Sequence, residues 1–292
     1  MADDVAILAF PNYADVDYYT PTFSGGLWSD DAPLENLQQR YLAYKARSLD
    51  CSTDSTQFTV DLQTLRDIRV VVIPKHNLSL ASADVTATLT IYDLAMTEVY
   101  ASTIDVYPIV YGYGVLPFEH PSWGTGRLTA EAARYFPSPI LWVLPETVNG
   151  RYVKIEIVDT ENTDLYVELT RLFISPGWQP TFNYAPGANF GIADPTIVTT
   201  SLGSADFYDD RLKRRTAAIT FEHLPNDEAF GQAFQLMQRL GRKGQLFFIR
   251  DPSDTTNLAA TSFLCTMTQL DALTAEVVSR QGVSFHLQEI VA

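Results

Sequence analysis

The stretch RYVKIEIVDTENTDLYVELTRLFISPGWQP, Arg151 to Pro180, decides the reading of the fold. Tyr152, Lys154, Glu156 and Val158 fall on one face of an extended chain, and Val153, Ile155 and Ile157 fall on the other. That period of two marks a strand with one buried face. Asp159, Glu161, Asn162 and Asp164 follow, with side-chain acceptors that close turns locally. Leu165 to Ile174 then resumes a strand that stops at Ser175-Pro176-Gly177, and Trp178 and Pro180 lead out of the segment. Two alternating strands joined by an acidic turn predict a β-sandwich.

Upstream, the text keeps the dense strand spacing of a sandwich. Residues 57 to 61 alternate around FTVD, and IRVVVIP from Ile68 to Pro74 is a β-branched run of the kind found in central strands. His76-Asn77-Leu78-Ser79 follows directly, and VTATLTIY from Val85 to Tyr92 alternates again. From Tyr100 to Trp142 prolines and glycines interrupt aromatic-rich text, which predicts long loops at one end of the sandwich and the natural place for a binding surface. Residues 1 to 50 are expected as an arm and lead-in, with one short helix at Pro33 to Tyr41 whose Leu34, Leu37 and Tyr41 share a face.

Downstream, a linker is expected over 179–210 and a second domain over 211–292, leaving the sandwich with 51–178. In the second domain Thr216 to Leu224 is a strand. Asn226 is placed to cap a helix whose first turn carries Asp227 and Glu228. Phe230, Ala233, Phe234, Met237 and Leu240 form a stripe at helical spacing, ended by Gly241 and Gly244. Further strands at Gln245 to Ile249, Ser262 to Gln269 and Glu276 to Ile290 complete an α+β pattern, one helix on an antiparallel sheet.

A chain of 292 residues with 46% hydrophobic and 19% charged residues has enough apolar material for two packed cores. Its formal charge of −15 repels polyanions, so nucleic-acid binding is not expected. The one basic cluster, Arg211, Lys213, Arg214 and Arg215, is either a solvated strand edge or a patch that meets an acidic neighbour in an assembly. Cys51 and Cys265 imply no disulfide framework. The start lacks a basic segment followed by a long apolar run, and no stretch of about 18 apolar residues occurs. Synthesis and assembly in a cytoplasm, with no membrane insertion, are therefore expected.

Chemistry-bearing motifs are sparse. His76, His120, His223 and His286 show no metal-ligand spacing, Gly203-Ser204 lacks the frame of a nucleophile elbow, and YGYGV at Tyr111 to Val115 opens no helix. No catalytic residue, metal ligand or cofactor site is assigned, and the chain is expected to be non-enzymatic. The turn at Asp159 to Asp164 has the alternating oxygens of a calcium loop without its glycine and distal glutamate. Tyr111, Tyr113, Trp123 and Trp142, with Phe118, are the candidates for an aromatic platform under a sugar ring.

Several pieces together, HNL at His76 to Leu78, KARSLDCSTDSTQFTVDL at Lys45 to Leu62, RLFISPGWQPTFNYAPGANFGIADP at Arg171 to Pro195 and FIRDPSD at Phe248 to Asp254, carry a resemblance. The chain resembles a family of bacteriophage tail proteins, of distal-tail or baseplate type, with an N-terminal jelly-roll domain like those of the galactose-binding superfamily. The resemblance implies a structural role at the virion tail tip and a homo-oligomer, a hexameric ring before a trimer, with other tail and baseplate proteins as partners. It also brings the structural calcium that such jelly rolls often hold. A carbohydrate-binding module touching host-surface glycans through the Tyr111 to Trp142 loops is the alternative function.

Overall fold

The computed structural model describes residues 5–80, 85–112, 114–277 and 279–291. The chain is mostly β and divides into two compact units, Met1–Trp178 with Ile249–Ser262, and Gln179–Phe248 with Phe263–Ala292. In each, the period-two patterns of the sequence become antiparallel ladders.

The first unit contains β1 (Ile7–Ala9), β2 (Thr22–Ser24), β3 (Ala46–Arg47), β4 (Phe58–Ile73), β5 (Thr86–Tyr92), β6 (Glu98–Asp105), β7 (Ile140–Val158), β8 (Glu168–Leu169) and β9 (Phe173–Ser175). Its main sheet runs β2-β4-β7-β5-β6, with β9 alongside β4, and β3 pairs with β8 in a separate ribbon. The spine is β4 against β7, from Phe58 opposite Ile155 to Ile73 opposite Ile140, with register shifts between Asp61 and Arg66 and between Ile68 and Val70. At the first shift Gln63 adopts a left-handed backbone (φ 65°). There Asp61 accepts the Gln63 amide at 2.7 Å and both arms of the Arg151 guanidinium at 2.8 Å.

The inward alternation is as the sequence predicts: Val153, Ile155 and Ile157 are fully buried with Phe58, Val60, Leu89 and Ile91. Ile68 to Ile73 is buried without a break: β9 pairs along the edge of β4, and Gly177 and Ile7 close over Val70 on the face away from the main cluster. Of residues 1 to 50, expected as an arm, the described ones from 5 onward instead help close the core. Ala14, Leu34, Leu37 and Ala46 join the same apolar cluster, and Asn12 bonds the Leu172 carbonyl (3.0 Å) and the Ile174 amide (2.9 Å). The helix there is a 3-10 turn, Leu34–Gln38, and Tyr41 lies outside it and exposed.

The expected strand from Leu165 to Ile174 is two short strands. Between β8 and β9 the Thr170 amide turns to the Lys75 carbonyl, the Leu172 amide turns to the Leu37 carbonyl, and Arg171 dives into the core to meet Asp15 at 2.6 Å.

The second unit contains β10 (Asn189–Ala193), β11 (Ile197–Thr200), β12 (Asp206–Asp209), β13 (Arg214–Pro225), β14 (Gln245–Ile249), β15 (Phe263–Leu270), β16 (Thr274–Val277) and β17 (Arg280–Glu289). The sheet order is β14-β15-β17-β13-β10, with β16 on β17, and β11 pairs only with β12. Residues 179–210, expected as a linker, thus supply a sheet strand, β10, and a hairpin.

The helical run 226–240 starts without a side-chain cap. Asn226 is its first residue, and its side-chain oxygen accepts from Gln281 at 3.2 Å. A π turn at Ala229–Ala233 shifts the helix phase, so Ala229, Ala233 and Leu236 face the core while Phe230 and Phe234 are exposed. Gly241, at φ 52°, ends the run.

Candidate functional site

The connection between β6 and β7, residues 106–139, holds the site. Short-range hydrogen bonds shape it. Val110 and Tyr111 both donate their amides to the Gly126 carbonyl (2.8 and 2.9 Å), Gly126 donates to the Ser122 carbonyl (2.7 Å), and Trp123 donates to the His120 carbonyl (2.8 Å). Gly126 has φ 63°, and a Cβ there would lie 2.7 Å from the Tyr111 carbonyl oxygen and 2.8 Å from the Ile109 side chain. Only glycine fits this crossing. Thr256, from the segment that returns to the first unit, donates to the Val110 carbonyl at 3.0 Å.

These contacts enclose a hollow of about 170 Å³. Ile109, Leu116 and Trp123 are its apolar lining residues, and Tyr111, Ser122 and Thr125 its hydroxyl-bearing ones. Gly112, Gly114, Gly124 and Gly126 present backbone between them. Trp123 is 43% exposed and packs edge to face on Phe118, itself 77% exposed, with ring centroids 4.8 Å apart. Tyr111 meets His120 at 6.0 Å, and the His120 Nδ1 accepts the Ser122 amide at 3.1 Å.

Ser122 itself is only 2% exposed, and its hydroxyl has no hydrogen-bond partner among the described residues. Such a group is costly to bury and is normally paired in a folded protein. Rings, hydroxyls and bare backbone around a small concavity are the equipment of a binding site for a neutral polar molecule.

Of the four aromatic residues singled out from sequence, the structure brings Tyr111 and Trp123 to this hollow, and Tyr113 lies outside the described residues. Trp142 is a correction. It belongs to β7 opposite Val71, is 2% exposed and sits in the core, because β7 begins at Ile140 inside what reads as loop. Ser122, Ile109, Leu116 and Thr125 were not singled out. The paired glycines 112/114 and 124/126 were their only sequence signal.

The basic cluster is largely neutralised within its own unit. Arg211 pairs with Asp209 (3.0 Å), Lys213 with Asp194 (3.5 Å) and Arg215 with Glu289 (2.6 Å), and the Arg215 guanidinium also lies over the Phe263 ring. Arg214 is exposed and makes no ion pair among the described residues. Neither residue at the head of β13 lies on a free edge, since Ala193 and Ile192 of β10 face Arg214 and Arg215.

The acidic turn is used locally. The Asp159 Oδ2 accepts the Ser79 amide (2.8 Å) and the Asn162 side chain (3.0 Å), and Asp164 accepts from Asn77 (3.0 Å). Among the described residues no group of three or more His, Cys, Asp or Glu converges as a metal site. His76, nearby, is held by Ser138 (2.9 Å, ring Nε2 to carbonyl) and by the Leu78 amide on Nδ1 (3.3 Å). Burial drives its pKa down to about 4.

The chain is similar to a fucose binding module of Streptococcus pneumoniae, with 14% identity over 57% of this chain and 95% of that one and a TM-score of 0.36. It is similar to the lectin domain of lectinolysin complexed with Lewis B antigen (12% identity, 61% and 99% covered, TM-score 0.36). CBM32-1 from a family 31 glycoside hydrolase of Clostridium perfringens is a third similar structure (11% identity, 53% and 92% covered, TM-score 0.33). No family model matches the chain, and no curated protein matches it.

Proposed function

We propose that the protein is a non-enzymatic saccharide-binding protein whose first unit contacts cell-surface glycans through the loop at 109–126. The observation that carries this reading is the hollow itself, walled by Trp123, Ile109 and Leu116 and backed by the buried, unpartnered hydroxyl of Ser122. Exposed aromatic faces stack on the apolar side of a sugar ring, and hydroxyls and backbone amides take its polar edge. In native gels cast with soluble cell-envelope polysaccharides, the intact chain is expected to be retarded and Trp123→Ala to run freely. Equal mobility of both proteins in every gel rules the reading out.

A second reading is favoured by one observation in the other unit. The β11·β12 ribbon is exposed on all eight of its residues, and Ile197, Val198, Phe207 and Tyr208 are among them. Leu202, in the turn between the strands, is fully open to solvent. A two-stranded ribbon alone is marginal in water, and contiguous exposed apolar groups mark interaction surfaces. This supports a surface that meets other protein, which is compatible with the structural subunit of a bacteriophage tail tip implied by the sequence resemblance, a ring of six or three copies that contacts other tail and baseplate proteins. The readings are compatible, since a tail-tip subunit can carry a glycan-binding unit. Mass photometry of the purified chain tests the second: discrete hexamers or trimers support it, and a monomer at all concentrations counts against self-assembly.

A further inference from the structure

The chemistry of the hollow restricts which saccharides it can accept, an inference that rests on the saccharide-binding reading above. Among the described residues no charged side chain lines the hollow. Glu119, His120 and Arg127, which lie in the same stretch of chain, are outside the lining, and the Nδ1 of His120 is occupied by the Ser122 amide. A carboxylate or ammonium entering such a lining gives up its water and gains no counter-charge, which is heavily penalised. The formal charge of −15 adds a long-range repulsion of anions.

Size narrows the ligand further. At about 170 Å³ the hollow lies well below the roughly 300–1,000 Å³ of sites for drug-sized ligands, so it has space for one ring rather than a run of them. The hydroxyl of Ser122, a residue of the lining, is buried with no partner among the described residues, so a step of its χ1 to another staggered well forfeits no hydrogen bond with them. Trp123 supplies the apolar face against which one side of a ring can rest.

We infer that the hollow takes a single uncharged pyranose at the end of a glycan, stacked on Trp123 and hydrogen-bonded by Ser122, and that it rejects sialic and uronic acids. Two substitutions suit the test. Gly124 is one of the residues that line the hollow, a Cβ there would meet nothing within 4 Å and the backbone is not left-handed, so Gly124→Leu adds bulk at the hollow without straining the fold. Ser122→Ala removes a hydroxyl that has no partner among the described residues, so it is expected to leave the melting temperature unchanged or raised.

The experiment is isothermal titration of the intact chain and both variants. The probes are the methyl glycosides of galactose, fucose, glucose and N-acetylglucosamine, set against N-acetylneuraminic and glucuronic acids. The expected result is binding of at least one neutral glycoside, weakened about three- to tenfold by Ser122→Ala and abolished by Gly124→Leu, with both acids silent. An acid that binds as well as the neutral sugars and is displaced by Gly124→Leu overturns the inference while leaving saccharide binding in place. Neutral binding untouched by both variants overturns it by placing the sugar elsewhere. Silence from every probe sinks the inference and the saccharide-binding reading together.

Discussion

Arg171 and Asp15 show how one residue pair holds distant parts of the first unit together. Their ion pair, 2.6 Å long, is 1% and 5% exposed on its two side chains, and the Arg171 Nε and Nη1 have no further acceptor among the described residues. Burial pulls the Arg171 pKa down, although Asp15 opposes the shift. Asp15→Asn leaves the guanidinium in the core without a counter-charge and is expected to cost about 3–5 kcal/mol in urea unfolding. The double replacement Asp15→Leu with Arg171→Met is expected to cost less than the single one; a larger loss would mean that the pair is more than a charge to be balanced.

His76 gives the stability a pH dependence whose sign follows from its lowered pKa. The unfolded chain takes up a proton near pH 6.5, while the folded ring, desolvated and bonded to Ser138, does so only near pH 4. Falling pH therefore favours the unfolded state: the contribution is whole above about pH 6.5 and is lost as pH drops toward about 4. Allowing for the ring's part exposure, wild type is expected to lose about 1–2 kcal/mol more than His76→Gln between pH 7 and pH 5. Parallel losses in urea titrations of the two proteins would contradict this assignment.

At the scale of the element, strands whose burial follows local alternation were legible. Val153, Ile155 and Ile157 point inward, and the IRVVVIP run is the doubly covered part of β4. Elements shaped by tertiary contacts were not. Trp142 reads as a loop aromatic because prolines and glycines surround it, yet pairing with Val71 draws it into β7. Of the helical stripe predicted at Phe230, Ala233, Phe234, Met237 and Leu240, Ala233 is buried as read, while Phe230 and Phe234 are exposed around the π turn, a backbone choice that side-chain periodicity does not encode.

The β11·β12 ribbon was invisible for the opposite reason: its apolar residues have no covered face that would impose a pattern. Phe207→Ser with Tyr208→Ser is expected to change the stability of the chain by less than about 0.5 kcal/mol, as exposed substitutions do, while lowering any self-association seen by light scattering. Arg214→Glu is the suitable charge test on the same unit. Arg215→Glu would also break the bond to Glu289 and the contact with Phe263, confounding assembly with folding.

For the whole molecule, the mostly β class and the succession of a sandwich and an α+β unit follow from patterns spread along the chain. The return of Ile249–Ser262 to the first unit does not, because packing between segments distant in sequence leaves no local periodicity. The candidate site was half legible. The aromatic and glycine density between Tyr100 and Trp142 located it, but the roles of Ser122 and Gly126 depend on burial and on a left-handed backbone. A glycan array probed in parallel with the intact chain and with Gly124→Leu tests the central claim most directly. The account predicts signals for glycans ending in neutral sugars that vanish in the variant while its melting temperature holds. A dark array, or signals that survive Gly124→Leu, would contradict it.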